Sequence, residues 1–378
     1  MKEEITTLKP EEFEDMMRFL EKCYRHSRNY FPWRYPHVWR KDTIEYENRI
    51  ILKVNGKIVS HVGIFPLEMI VGKARIKMGG IGGVATLQEY RGRGYMTKLM
   101  NYAISKMKEM GFSISVLWGD RQRYGHFGYE NAGKMAVLTV SLRSLSIEFS
   151  PKKVNFYRFY GEVEKLNKII TLHEREPIRV KRDKKTYELI FNIDKLITYL
   201  TDEAYITYWG EHPKSLIEVG GTSTELANLL YSFLSSFNKE FGINSIELCL
   251  PYYNYETFHL MRKVCASYHI ISEGMIKILD LEKLFLEYKP YLEEVSENLA
   301  LNFSLKNLSN DQLVHIVLEN GSVTIERNRK GKLHIELNER DLVKLIFNGL
   351  HEVPLPPRYS QLGAIFPLPF HIWPLDHI

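Results

Sequence analysis

Apolar and polar residues alternate with different periods along the chain, and each change of period predicts a different element. Residues 10–23 carry apolar side chains at helical spacing, which predicts an amphipathic helix. Residues 49–65 form two apolar runs around Asn55-Gly56, which predicts a hairpin with a two-residue turn. Two more strands are predicted over residues 67–72 and 77–87.

A strand–helix–strand unit is predicted next. From Met96 to Met110 the apolar residues share one helical face, and Gly111 is well suited to end the helix. Phe112 to Trp118 is an apolar run typical of a buried strand. This arrangement implies a right-handed crossover between neighbouring strands.

A second unit with a similar rhythm occupies the middle of the chain. A strand is predicted over 216–221, a helix from the capping residues 222–225 to Glu240, and another strand over 243–250. The loop of this unit has neither the arginines nor the Gly-x-Gly found in the first unit. We therefore interpret it as a degenerate copy that binds no ligand.

The last part of the chain changes pattern again. Residues 313–327 alternate around Asn320-Gly321, which predicts a hairpin, and a strand over 332–337 and a helix over 339–350 follow. The tail from Leu362 is apolar and aromatic to its end, whereas free termini are usually polar and frayed. We expect this tail to dock in a groove of its own protein.

Composition excludes several classes of function. The 378 residues carry a net charge of +5 that is dispersed along the chain, so nucleic acid is not an expected partner. Cys23, Cys249 and Cys265 are far apart and lack zinc-site spacing, so we expect no metal, and reduced thiols in a cytoplasmic protein. The start of the chain lacks an apolar signal core and no run of about 18 apolar residues occurs, so no membrane is expected.

The stretch from Gly79 to Gly128 carries the chemistry. An extended run leads into Arg91-Gly92-Arg93-Gly94 directly before the first predicted crossover helix. Backbone N–H groups at a helix start and the helix dipole attract anions, and two guanidinium groups strengthen this field. The loop is therefore predicted to hold a diphosphate.

This loop resembles the acetyl-CoA loop of the GNAT acetyltransferases, which follows Arg/Gln-x-x-Gly-x-Gly/Ala. Here it reads Arg91-Gly92-Arg93-Gly94-Tyr95-Met96, so Met96 stands where Gly or Ala is usual. The resemblance implies that these residues bind the pyrophosphate of acetyl-CoA. Because Met96 keeps its N–H, the departure reshapes the CoA path without removing the cradle.

The whole chain resembles the Eis-like (enhanced intracellular survival) acetyltransferases. This implies an α+β fold, with a mixed central sheet flanked by helices, in three parts. They are an active GNAT domain at 1–146, a degenerate GNAT-like domain at 147–284, and a sterol-carrier-like domain at 285–378 whose tail returns to the active site. The resemblance further implies acetyl transfer from acetyl-CoA to a primary amine of a small molecule or lysine, in a homo-oligomer (trimer or hexamer).

The same resemblance assigns roles to single residues. Val84, Ala85 and Thr86 match the strand that pairs with the pantetheine arm, and one of their N–H groups is expected to hold the oxyanion. Tyr124 matches the general acid that protonates the leaving thiolate. The terminal carboxylate of Ile378 matches the proposed base, for which only the carboxyl group is needed.

Aromatic residues between positions 30 and 39 follow no clean period and are interrupted by proline. Phe31, Trp33 and Trp39 are candidates for the acceptor pocket, because aromatic faces suit apolar and cationic groups. Purely structural interpretations stay open. The three aromatic residues and Tyr124 are also compatible with packing in a core, and Ile378 is also compatible with a docked tail that takes no part in catalysis.

Two other functions are also compatible with the sequence. The first is a lipid or hydrophobic-ligand binding protein that acts through its C-terminal domain. The second is a catalytically inactive GNAT module that binds CoA, although an intact Arg-Gly-Arg-Gly loop beside Tyr124 argues against it. No residue pattern separates aminoglycoside, polyamine, peptide lysine and small-metabolite acceptors.

Overall fold

The computed structural model describes residues 2–211 and 213–378. The strands, in chain order, are β1 (Glu3–Thr7), β2 (Arg49–Val54), β3 (Lys57–Val71), β4 (Ala74–Thr86), β5 (Ile114–Leu117), β6 (Glu130–Ser141), β7 (Tyr157–Arg158), β8 (Ile178–Val180), β9 (Leu196–Leu200), β10 (Ala204–Trp209), β11 (Ser215–Gly221), β12 (Ser245–Pro251), β13 (Ser267–Ile278), β14 (Ala300–Asn307), β15 (Leu313–Glu319), β16 (Ser322–Arg327) and β17 (Leu333–Leu337).

The α-helices range from single turns to five turns. In chain order they are α1 (Phe13–Tyr24), α2 (Tyr30–Arg34), α3 (Pro36–Trp39), α4 (Tyr95–Glu109), α5 (Arg121–Gly125), α6 (Leu142–Glu148), α7 (Val163–His173), α8 (Lys184–Phe191), α9 (Ser223–Phe241), α10 (Glu256–Val264), α11 (Leu281–Val295) and α12 (Glu339–Asn348). Among the described residues, none of these helices combines the length and the apolar character needed to cross a bilayer.

The chain folds into two compact units, each made from separate segments. The first unit contains the chain up to Gly133, then Gly274–Leu368 and the terminal residue Ile378. The second contains Lys134–Glu273 and Pro369–His377. Each unit has a mixed sheet with helices packed on it, which confirms the expected α+β class. The division at 1–146, 147–284 and 285–378 stays a prediction, because one compact unit can hold more than one domain.

The sheet of the first unit runs β1-β2-β3-β4-β5 and ends on the C-terminal part of β13. Neighbours from β1 to β4 are antiparallel, whereas β4 and β5 are parallel. The parallel pair is joined by α4, so the predicted strand–helix–strand crossover is confirmed. Its core is a continuous apolar cluster in which α1 contributes Met16 and Leu20, and α4 contributes Leu99 and Met100.

The β3–β4 hairpin is longer than the sequence pattern indicates. We predicted one strand ending at Phe65 and another over 67–72, but β3 continues through Pro66. Pro66 lacks an N–H, and it is accepted because it lies exposed opposite Gly79 in the ladder. The turn at Asn55-Gly56 is confirmed, with φ of 50° and 82° as a two-residue hairpin requires.

A second, four-stranded sheet of the first unit has the order β16-β15-β14-β17, with β14 and β17 parallel. Its β15–β16 hairpin turns at Asn320-Gly321, as predicted, and α12 follows β17. The helices α11 and α12 contact this sheet. The likeness of this region to a sterol-carrier domain stays a prediction.

The second unit repeats the strand–helix–strand plan of the first. Strands β11 and β12 are parallel and are joined by α9, which confirms the predicted elements at this position. Tail residues 369–377 belong to this unit, and Trp373 lies in its apolar core. The tail is therefore docked on its own protein, as its apolar character predicted.

A buried charge cluster holds the tail inside the second unit. Arg182 donates to Asp376 at 2.6 and 2.7 Å and to Glu218 at 3.1 and 2.5 Å. Of the described residues, His173, Glu218 and Asp376 form the one group with metal-ligand proximity. Both carboxylates of that group already bind the Arg182 guanidinium, which explains their proximity without a metal.

Candidate active site

A cleft of about 490 Å³ in the first unit brings the predicted cofactor-binding residues together. It lies where the end of β4 meets the start of α4. Every predicted cofactor-binding residue except Arg93 lines it, namely Val84, Ala85, Thr86, Arg91, Gly92, Gly94, Tyr95 and Met96. The cleft is also lined by Cys23, Tyr24 and Arg123, which the sequence pattern did not single out.

The loop before α4 has the backbone geometry of an anion cradle. Gly92 and Gly94 adopt φ of 75° and 73°, in the region that glycine enters without strain. Gly94 is the N-cap of α4, so the first N–H groups of this 15-residue helix point out of its start. Arg91 donates from Nε to the Thr86 carbonyl at 3.3 Å, whereas Arg93 lies 5.2 Å from the centre of the Tyr90 ring.

Strands β4 and β5 part inside the site. They pair in parallel only from Met78 to Gly80. Terminal residue Ile378 lies against β4, where its side chain contacts Gly80. A Cβ on Gly82 would stand 3.3 Å from the terminal carboxyl oxygen, so the carboxyl group lies directly against the Gly82 backbone. Glycine at these positions makes room for the terminal residue.

Tyr124 lies on the short helix α5, directly after β5, and it is 7% exposed. Its ring contacts Gly119 and meets Tyr129 edge to face at 6.4 Å between ring centres. Burial raises the pKa of Tyr124 above its ordinary value, so its phenol keeps its proton at neutral pH. Tyr129 is fully buried and bonds to Ser115 at 2.7 Å, which makes it a structural tyrosine.

A buried carboxylate anchors the helix that carries Tyr124. Glu130 accepts from Arg121 of α5 at 2.7 Å and from Arg340 of α12 at 2.9 Å. Burial raises the pKa of Glu130, but the hydrogen bonds from Arg121, the Asn131 N–H and Arg340 together lower it by more, so the group stays ionised. Asp120 caps α5 by accepting from the Arg123 N–H at 2.7 Å. The position of Tyr124 therefore depends on β6 and α12 as well as on its own helix.

The aromatic stretch forms the short helices α2 and α3, which begin after Asn29 and at Pro36. Phe31 and Trp39 are buried in the apolar core, with ring centres 4.9 Å apart. Trp33 is 38% exposed. The acceptor role of the three aromatics stays a prediction, and Trp33 is the most accessible of them.

Two residues near the cleft escaped the sequence reasoning. Tyr24, the last residue of α1, donates to the Val84 carbonyl at 2.9 Å. His61 lies on β3 and bonds to the Gly83 carbonyl at 2.7 Å. A histidine within a mostly apolar strand was the available signal for His61. Nothing in the local pattern distinguishes Tyr24, because its partner is 60 residues away.

Solved structures with this fold cover nearly the whole chain. A GCN5-related N-acetyltransferase from Kribbella flavida has a TM-score of 0.72 and 17% identity, over 100% of this chain and 98% of that protein. One from Anabaena variabilis has a TM-score of 0.68 and 18% identity, over 96% of both. Eis1 from Mycobacterium abscessus has a TM-score of 0.62 and 14% identity, over 92% and 90%. These likenesses show the fold.

The sequence itself identifies the class of the first part of the chain. Residues 4–132 match the family described as the acetyltransferase (GNAT) domain. This part of the chain is therefore a GNAT acetyltransferase domain, and the protein is an enzyme of the acyltransferase class. No curated protein matches the sequence.

The glycine at position 83 offers a test of how tightly the site is packed. Gly83 has φ of 63°, and a Cβ there would stand 2.7 Å from the Trp39 ring and 3.0 Å from the His61 ring. We expect Gly83→Ala to destabilise the fold by about 1–2 kcal/mol through its φ and by about 1–3 kcal/mol more through overpacking. Urea denaturation measures the sum of these two losses as the change in the free energy of unfolding.

Gly92→Ala is the matched control, because Gly92 also has positive φ but no atom within 4 Å of its added Cβ. Only the backbone cost of about 1–2 kcal/mol is expected there. Equal losses in the two variants would contradict the packing of Trp39 and His61 against Gly83.

Proposed function

We propose that the protein is an acetyl-CoA-dependent N-acetyltransferase that moves an acetyl group to a primary amine of a small molecule or lysine, by direct attack in a ternary complex. The observation that carries this proposal is the cleft that joins the Arg91 loop, the start of α4 and the Val84–Thr86 segment of β4. Acetyl-CoA supplies the activated acyl group. The protein supplies binding, orientation and proton management.

Diphosphate binding is assigned to the loop from Arg91 to Met96. The Arg91 side chain, the glycine-softened backbone and the first N–H groups of α4 present positive charge to one end of the cleft. The first turn of α4 contains no acidic residue that would oppose an anion. Edge N–H and C=O groups of Val84, Ala85 and Thr86 are assigned to the pantetheine arm.

Tyr124 is assigned as the general acid toward the leaving thiolate. Two features support this role: its pKa is raised by burial, and α5 holds it beside the cleft-lining residue Arg123. A protonated phenol can donate to a sulfur anion within hydrogen-bond distance. The Glu130 ion pairs hold that helix in place while the proton moves.

The terminal carboxylate of Ile378 is assigned to the attacking amine. A lysine-like amine is almost entirely protonated at neutral pH, so it must lose a proton before it attacks. A carboxylate beside Gly82 attracts the cationic amine and orders a water that relays the proton. The tail that carries this group is buried by the second unit at Trp373 and Asp376.

Arg91→Ala tests the diphosphate site. We expect acetyl-CoA to bind at least tenfold more weakly by calorimetry, because a charge-assisted hydrogen bond contributes about 1.5–3 kcal/mol. Arg93→Ala is the comparison, and its loss should be smaller because Arg93 does not line the cleft. If the wild-type protein shows neither heat nor protection from melting at millimolar acetyl-CoA, the proposed function fails.

Tyr124→Phe tests the acid. We expect kcat to fall by about 10²–10⁴-fold, with little change in acetyl-CoA affinity, because the variant lacks only the hydroxyl. Tyr102→Phe, on the exposed side of α4, is the matched control and should retain full turnover. Unchanged turnover in Tyr124→Phe would remove this residue from the mechanism.

A pair of tail variants separates the carboxyl group from the side chain. Deletion of Ile378 withdraws the carboxyl group by about 3.5 Å, so we expect a large loss of kcat/KM for the amine with acetyl-CoA binding preserved. Ile378→Ala keeps the carboxyl group and removes only the contact with Gly80, so it should retain most activity. A deletion variant with normal kcat/KM would show that the tail is structural.

An acetylation screen over aminoglycosides, polyamines, lysine peptides and small amines, with the release of free CoA thiol as its readout, identifies the acceptor. Acetyl-CoA binding without thiol release on any of these amines would favour the inactive CoA-binding module. A stoichiometric lipid in the purified protein, with no CoA binding, would favour a hydrophobic-ligand protein.

The homo-oligomeric state (trimer or hexamer) and the cytoplasmic location stay predictions, which light scattering and cell fractionation address.

A further inference from the structure

The pairing register of β4 with β3 shifts by one residue beside the cleft. His61 pairs with Ala85 and Gly63 with Gly82, so Val62 alone stands opposite Gly83 and Val84. This is a β-bulge, with Gly83 at φ of 63°. A bulge takes backbone groups out of the regular ladder, so their partners must come from elsewhere.

Side chains supply those partners for three consecutive carbonyls. The Gly83 carbonyl accepts from His61 at 2.7 Å, the Val84 carbonyl from the Tyr24 hydroxyl at 2.9 Å and the Ala85 carbonyl from Ser60 at 3.0 Å. The donors come from two elements, β3 and the end of α1. Three successive carbonyls of β4 therefore each accept a hydrogen bond from a side chain, and Gly83 and Val84 stand outside the one-to-one pairing of β4 with β3.

The His61 bond defines the state of its imidazole. A carbonyl oxygen only accepts, so Nδ1 carries the hydrogen and Nε2 keeps a lone pair. Nε2 is buried and has no hydrogen-bond partner. Burial lowers the pKa of His61 to about 3, and the buried Arg49 cation adds to this effect. The imidazole is therefore a neutral donor at neutral pH.

A trans peptide group is planar, with its C=O and N–H pointing in opposite directions. Holding the Gly83 carbonyl toward β3 therefore turns the Val84 N–H away from β3. Val84 lines the cleft, and its N–H is one of the candidate donors to the acyl carbonyl.

We propose that His61 is a positioning residue for acyl transfer, which aims the Val84 N–H by holding the Gly83 carbonyl. Tyr24 orients the next peptide in the same way through the Val84 carbonyl. This inference rests on the proposed function, since it names the residue that orients the oxyanion donor. His61 is not among the residues that line the cleft, so it acts through the Gly83 carbonyl.

The first test examines the protein without substrate. Selective ¹⁵N labelling of histidine should show a signal in the Nδ1–H form that does not titrate between pH 5 and pH 8 and that His61→Asn abolishes. The buried His173, whose pKa is also lowered by burial, should give a second non-titrating signal that this variant leaves in place. A His61 signal in the Nε2–H form, or one that titrates in this range, would overturn the inference.

The second test compares His61→Asn with His61→Leu, whose side chains have the same branching and the same number of non-hydrogen atoms. Asparagine keeps an N–H near the position of Nδ1, whereas leucine removes the donor. We expect His61→Leu to lose 10–100-fold in kcat with acetyl-CoA affinity within threefold of wild type, because the Arg91 loop is untouched. His61→Asn should recover kcat to within about fivefold of wild type.

Wild-type kcat in folded His61→Leu, or an equal loss in both variants, would overturn the role of the hydrogen bond. If His61→Leu fails to fold, Tyr24→Phe takes its place in the comparison, with a smaller loss of kcat expected and full kcat contradicting the inference. Absence of turnover in the wild-type protein would instead overturn the proposed function. The histidine signal would still decide whether His61 holds Gly83 as described.

Discussion

The parting of β4 from β5 after Gly80 is the constraint on which the site depends. Parallel strands that separate leave backbone N–H and C=O groups of the next residues available, and they open a wedge between the strands. The cleft beside the α4 loop is lined by residues of β4 beyond this point, and the terminal residue lies against Gly80 and Gly82. The cleft-lining residues Val84, Ala85 and Thr86 therefore belong to the part of β4 that does not pair with β5.

The bulge of β4 against β3 takes backbone groups out of the regular ladder, and side chains supply hydrogen-bond partners for them. His61, Tyr24 and Ser60 bind three consecutive carbonyls of β4, so the bulge has a defined shape before any substrate arrives. The glycine at the bulge is required by the rings of Trp39 and His61, which leave no room for a Cβ. The buried aromatics near the site therefore shape the backbone that lines the cleft, whether or not they also meet an acceptor.

Much of the first unit follows from local pattern. The helical spacing in 10–23, the Asn55-Gly56 turn and the apolar face of α4 depend on neighbouring residues, and all three were predicted. The strand break expected near residue 66 was wrong. Proline disfavours a strand when only the local sequence is considered, but the ladder tolerates Pro66 because no backbone N–H is needed at that position. The Arg91 loop was also predictable, since its glycines and the start of α4 are adjacent in sequence.

The sequence by itself determined the class of protein, through a contiguous loop whose conformation and charge are local properties. Only the tertiary structure decided which carbonyls His61 and Tyr24 bind, and that the last carboxyl group lies beside Gly82. These contacts join residues 22, 60 and nearly 300 positions apart, and a shift of one residue in strand register would break each of them. Register and bulges are set by packing of the whole sheet, which no local pattern contains.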